Sequence, residues 1–139
     1  MTERVYFAYA FLEGGWKVKV GYTQNLANRI KELRRSYGTD VVLLADVVGD
    51  TFDEAALHMI LKNYLFRNEW FFPSKRVHAL VAHIKQTEEI PESVRHLGRA
   101  IREERRAKRE RVSIERVTNA YAAASYKSAM IGLTAITKK

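Results

Sequence analysis

Residues 5–22 read VYFAYAFLEGGWKVKVGY, and this stretch decides the fold. Val5 to Leu12 is a run of β-branched, aromatic and small apolar residues with no charge inside it, which predicts a buried strand. Glu13-Gly14-Gly15 supplies a turn. Trp16 to Tyr22 then alternates in part, with Val18 and Val20 set against Lys17 and Lys19. The pair predicts a β-hairpin whose second strand carries its valines and its lysines on opposite faces.

Working outward, residues 23–37 predict a helix, because Leu26, Ile30, Leu33 and Tyr37 fall on one apolar face and Gly38 stops it. Val41 to Val48 predicts a third strand, ended by Gly49-Asp50. Thr51-Phe52-Asp53-Glu54 reads as a capping box opening a second helix. Its core face is Leu57, Ile60, Leu61, Tyr64 and Leu65, with Asn68 as its close. The aromatic segment Glu69-Trp70-Phe71-Phe72-Pro73-Ser74 leads to a third helix, Lys75 to about Gln86, capped by Ser74 and striped by Val77, Leu80, Val81 and Ile84. Trp70 and Phe71 read as core aromatics. The order β-β-α-β-α-α is an α+β arrangement: a small antiparallel-type sheet flanked by helices.

Composition bounds the rest. Of the 139 residues, 47% are apolar, enough for a core, and the absence of cysteine excludes disulfides and thiolate metal sites. A net charge of +8 and a pI near 9.8 point to a polyanionic partner, nucleic acid above all. Met1-Thr2-Glu3-Arg4 opens no secretory signal, and no apolar run reaches the roughly 18 residues of a membrane helix. The expected location is the cytoplasm, that of the host cell if the protein is phage-encoded.

The composition changes near Glu88-Glu89-Ile90-Pro91, so the expected organisation is a domain over residues 1–88 and a basic helical extension over 89–139. From Arg95 to Arg116 there are nine Lys and Arg against four Glu. Arg99, Arg102, Arg105, Arg106, Lys108 and Arg109 are the candidate phosphate contacts. The alternative is a solvated helix that pairs Arg102 and Arg106 with Glu103 and Glu110. Further on, Val117, Tyr121, Ala124, Ser128 and Ile131 make a heptad-like stripe that needs a partner surface, either the domain itself or a second copy in a homodimer through residues 117–131.

An ordered set of short motifs runs through the domain. Val5-Tyr6-Phe7 lies on the first strand and Lys19-Val20-Gly21 on the second. Arg29 follows that glycine by eight residues, Glu54 opens the second helix with His58 one turn on, and Asn68-Glu69-Trp70-Phe71 closes the set. The set resembles the GIY-YIG endonuclease superfamily over about residues 4 to 85. It is most similar to the phage-type branch, whose second motif is Lys-Ile-Gly-like. The resemblance implies a metal-dependent endonuclease that hydrolyses DNA phosphodiester bonds, with Mg2+ (or Mn2+) as cofactor, DNA rather than RNA as partner, and a phage or mobile-element setting.

The resemblance also implies roles, each with a plain structural alternative. Tyr6 is placed as the phenol that activates water, with Lys19 as the cation that favours its phenolate; the alternatives are a core aromatic and a lysine on an exposed strand face. Arg29 is placed on the scissile phosphate, and otherwise snorkels along its helix edge. Glu54 is placed as the metal ligand, and is also the residue a Thr51 capping box demands. His58, on the same face as Glu54, is placed as a proton donor or phosphate ligand, or else pairs with Glu54. Asn68 and Glu69 fall where the wider family has a late asparagine. The second tyrosine common in the superfamily is replaced by Lys19, and the His or Tyr expected four residues after the arginine is Leu33. These departures leave a second function open: a non-catalytic DNA-binding protein (repressor, nuclease competitor or assembly factor) on the same fold. No P-loop or His-x-x-x-His pattern is present.

Overall fold

The computed structural model describes residues 2–38 and 40–137, with side chains as far as residue 128. The chain forms two compact units, Met1–Arg102 and Glu103–Lys139. In the first, β1 (Arg4–Leu12) and β2 (Gly15–Thr23) make the expected hairpin. Glu13 and Gly14 both take positive φ, 51° and 80°, as a two-residue hairpin turn with the strands' own twist requires. Helix α1 (Leu26–Tyr37) follows. Its cap is Asn25, whose side chain accepts from the Asn28 amide, so the helix starts later than its apolar periodicity alone suggests. Then come β3 (Val42–Val48), α2 (Thr51–Ile60), a 3-10 turn (Lys62–Tyr64), β4 (Leu65–Arg67), β5 (Trp70–Phe71), α3 (Lys75–Thr87) and the long helix α4 (Glu92–Thr137). The sheet has five antiparallel strands in the order β3-β1-β2-β5-β4. The architecture is α+β.

Two local expectations are corrected. The apolar periodicity suggests that α2 runs on to Asn68; it stops at Ile60, and Leu65 to Phe71 form a small hairpin instead. Asn68 has φ 55°, a left-handed conformation that asparagine tolerates and that turns β4 into β5. The cap of α2 is Asp50, not Thr51: the Asp50 carboxylate accepts from the Phe52 and Asp53 amides, and Asp53 returns a bond to the Asp50 amide. Asp50→Ala is therefore expected to lower stability by about 1 kcal/mol. Thr51→Ala, at an exposed first-turn position, is expected to cost about 0.5 kcal/mol or less. Thermal unfolding of the two variants checks this, and equal losses would return the cap to Thr51.

Both faces of the sheet are covered, for a reason legible in the register. Val5, Phe7, Val18, Val20 and Val47 pack with Leu57, Leu61, Val77, Val81 and Ile84 in one core. The other face carries Tyr6, Ala8 and Ala10, whose small neighbours let Ile30 and Leu33 of α1 approach, with Trp70 alongside. Lys17 and Lys19 pair with Ala10 and Ala8 on this second face and are buried rather than exposed. Lys17 Nζ donates to the Leu12 carbonyl at 3.3 Å and lies over the Phe66 ring at 4.7 Å, so its burial is compensated without a carboxylate.

The first unit continues past the composition change at residue 88. Ile90, Val94 and Ile101 are buried with the α2–α3 core, although the stretch around them is dense in arginine and glutamate. Val94 and Ile101, seven residues apart, share one face of α4, and Ile90 lies just before that helix. In the second unit every described side chain from 103 to 128 is exposed. Ile114, Val117, Tyr121 and Tyr126 are each at least two-thirds exposed. Ile131, in the expected stripe, lies outside the described side chains.

Candidate active site

Tyr6 sits opposite Gly21 in the β1–β2 register, and its ring lies directly over that glycine. A Cβ on Gly21 would stand 2.4 Å from the Tyr6 Cζ and hydroxyl oxygen. The glycine of the Lys19-Val20-Gly21 motif is thus the floor of the tyrosine's seat. The hydroxyl accepts a hydrogen bond from Arg29 Nε at 3.2 Å, while Arg29 Nη1 reaches Glu32 at 3.1 Å. Arg29 therefore leans from α1 onto the sheet face, with its side chain still 41% exposed. Burial raises the Tyr6 pKa above the ordinary 10.0, and the hydrogen bond and charge of Arg29 pull it back in part. The same bond raises the Arg29 pKa, so the guanidinium stays charged.

Lys19 does not reach the phenol in the role expected of it. Its ammonium, buried, is bound to Glu69 Oε2 at 2.6 Å and lies 5.6 Å from the Trp70 ring centroid. The cation at the Tyr6 hydroxyl is Arg29. Glu69 occupies the β4–β5 turn beside left-handed Asn68, and its backbone carbonyl accepts from the Val20 amide at 3.1 Å. Asn68 itself is exposed.

His58 closes the next position along the same edge. The β5 strand ends before it can pair with the Val20 carbonyl, and His58 Nε2 takes that acceptor at 2.7 Å. A carbonyl only accepts, so Nε2 carries the proton and Nδ1 is the nitrogen left for other partners. The ring also meets Phe71 at 5.4 Å. The histidine is paired with backbone rather than with Glu54.

Glu54, one turn before His58, is freed from the capping box by Asp50 and Asp53. Among the described residues none donates a hydrogen bond to its carboxylate, which is only partly buried. Desolvation raises its pKa above 4.5; the charges of His58, Lys19 and Arg29 oppose that rise and Glu69 adds to it. Tyr6 in turn feels both Glu54 and Glu69. Residues from β1, β2, α1, α2 and the β4–β5 turn thus share one electrostatic neighbourhood.

This neighbourhood fits a magnesium-type ion. Glu54 is a desolvated carboxylate with no internal donor, and such a group gains from a divalent cation. No closed set of three acidic or histidine ligands occurs among the described residues, and Mg2+ keeps several waters and needs only one or two carboxylates.

The chain matches the T5orf172 domain over residues 3–119. It belongs to the T5orf172 domain family. This domain occurs in phage proteins and is associated with GIY-YIG-like nucleases, which gives the chain a nuclease-like or DNA-binding role. The matched T5orf172 region contains the whole Tyr6–Arg29–Glu54–Glu69 cluster and runs into the exposed part of α4. No curated protein and no solved structure matches the chain. No helix among the described residues is long and apolar enough to cross a membrane.

The basic residues of α4 stand apart from this cluster in kind. Arg99 is paired with Glu92, and the Arg102 guanidinium lies 5.9 Å from the Phe52 ring centroid. In the second unit Arg106 is within 4.0 Å of Glu103 and 3.5 Å of Glu110, while Arg105, Lys108 and Arg109 are exposed. The internal pairing expected of a solvated helix is therefore present for Arg106. The residues that composition and spacing did not single out are Glu32, legible only as an i,i+3 partner of Arg29, and the Val20 carbonyl, which carries no side-chain signal.

Proposed function

We propose that this T5orf172 protein is a GIY-YIG-type, metal-dependent endonuclease that hydrolyses DNA phosphodiester bonds. The observation that carries the reading is the Tyr6 hydroxyl bound to a charged, half-exposed Arg29, in the neighbourhood of a carboxylate without a donor. Arg29 binds the scissile phosphate through Nη2, which has no partner among the described residues, and offsets the charge that develops there. Tyr6, in its phenolate form, takes the proton of the attacking water. Glu54 holds Mg2+ or Mn2+, which when bound supplies charge neutralisation at the phosphate and leaving oxygen. Lys19 is paired with Glu69 and so holds that carboxylate near Glu54. His58 holds the β2 edge in place through its Nε2 bond to the Val20 carbonyl.

Arg99 and Arg102 in the first unit, and Arg105, Arg106, Lys108 and Arg109 in the second, add affinity by phosphate contacts that carry no sequence information. The exposed Val117 and Tyr121 stripe serves a homodimer contact. The setting is the cytoplasm, that of the host cell if the protein is phage-encoded.

The Tyr6 assignment has a specific pH signature. Because burial favours the neutral phenol, the phenolate is a minor species at neutral pH and grows about tenfold per pH unit below its raised pKa. Single-turnover cleavage is expected to rise nearly in proportion between about pH 7 and about pH 9. Tyr6→Phe is expected to lose the rise and about a hundredfold or more in rate while keeping its fold. A flat profile with normal Tyr6→Phe turnover would move water activation elsewhere.

The full burial of Tyr6 beneath Arg29 also favours a second reading, a DNA-binding protein without catalysis. The same experiment separates the two.

A further inference from the structure

Beside Arg29, at the start of α1, the surface opens into a groove of about 520 Å3. Its charges cancel: Arg29 is the one cation among its lining residues and Glu32 the one anion, and they are paired. What remains is an array of exposed carboxamides, Gln24, Asn25 and Asn28. Gln24 Nε2 donates to the Tyr22 hydroxyl at 3.3 Å, which leaves its oxygen and one N–H unused. Asn25 Oδ1 is taken by the Asn28 amide in capping α1, which leaves its NH2. The Asn28 side-chain amide has no partner among the described residues. The groove therefore offers donors and acceptors together, without net charge.

A groove built for phosphate alone needs donors and positive charge, because phosphate oxygens only accept. Base edges present donors and acceptors side by side, and carboxamides are the side chains that match them, glutamine and asparagine to adenine in particular. We propose that Gln24 and Asn28 read the base edge of a nucleotide adjoining the phosphate at Arg29, so that the protein has a base preference next to its cut. The proposal rests on Arg29 as a phosphate ligand. It adds a sequence-reading role beside a site whose other contacts are to backbone.

The test is a binding selection, which does not need cleavage. Wild-type protein in EDTA is incubated with a duplex pool randomised across the central positions, and the retained duplexes are sequenced beside those retained by Gln24→Ala/Asn28→Ala. Both positions are exposed and neither supplies the α1 cap, so the fold is not at risk. The expected result is enrichment of one base by about fivefold or more at one or two positions in wild type, flattened in the double variant. Equal enrichment in both proteins, no enrichment in wild type, or a double variant that no longer retains the pool at all would each overturn the proposal. Enrichment that depends on these amides in a protein that never cleaves DNA would leave the groove assignment standing and remove the nuclease reading.

Discussion

Arg29→Ala is expected to lower DNA cleavage by about 10^2- to 10^3-fold while duplex binding changes only a few fold. Among the described residues the guanidinium is the one cation hydrogen-bonded to Tyr6, and it is also half exposed, so it can touch substrate and phenol together. Binding spreads over many basic residues on a chain of net charge +8, and one surface arginine contributes little to it. Arg29→Lys is expected to recover little, because an ammonium cannot bond the phenol and present a planar edge to phosphate at once. Single-turnover rates on a labelled duplex, beside fluorescence anisotropy in EDTA, read the two effects separately. Wild-type turnover in Arg29→Ala would remove the arginine from the site.

Gly21→Ala is the other change with a large expected effect. The new methyl would stand 2.4 Å from a tyrosine ring that is fully buried, so neither partner yields cheaply. A stability loss of about 1–3 kcal/mol is expected from the overpacking, with loss of cleavage comparable to that of Tyr6→Phe. If the clash is the cause, removing the ring relieves it. The double variant Gly21→Ala/Tyr6→Ala is then more stable than the sum of the single losses predicts, as denaturant unfolding of the four proteins would report. Strict additivity would place the glycine's importance elsewhere.

How much of this was legible in the sequence follows from how local each feature is. The hairpin, α1, β3 and α3 announce themselves by periodicity and by turn residues such as Glu13-Gly14, so they stand within a residue or two of expectation, apart from the start of α1. The β4–β5 hairpin does not, because Leu57, Ile60, Leu61, Tyr64 and Leu65 continue a helical period across a break made by tertiary pairing with β2. The burial of Lys17 and Lys19 was hidden for a related reason. An alternating strand implies one wet face; here Phe66, Phe72 and Trp70 of the β4–β5 region lie against the lysines, while α1 packs beside them on Tyr6, Ala8 and Ala10.

The candidate cluster was legible as a set of residues but not as a set of contacts. The motif order brought Tyr6, Lys19, Arg29, Glu54, His58 and Glu69 to attention, and the structure gathers them into one neighbourhood. The pairing within it is different: Arg29 rather than Lys19 meets the phenol, Lys19 is held by Glu69, and His58 binds backbone. Spacing along a chain names faces, not partners across a sheet. The release of Glu54 from a capping role came from Asp50, one residue ahead of the box that the sequence suggested.

The measurement that bears most directly on the central claim is a plasmid-cleavage assay with Mg2+ or Mn2+, run beside Glu54→Ala and an EDTA control. Nicking or linearisation that requires the metal and disappears in Glu54→Ala is the predicted result. Absence of cleavage of plasmid, single strands and RNA by a protein that still binds DNA in a salt-sensitive way would contradict it, and would make this T5orf172 chain a DNA-binding protein without nuclease activity.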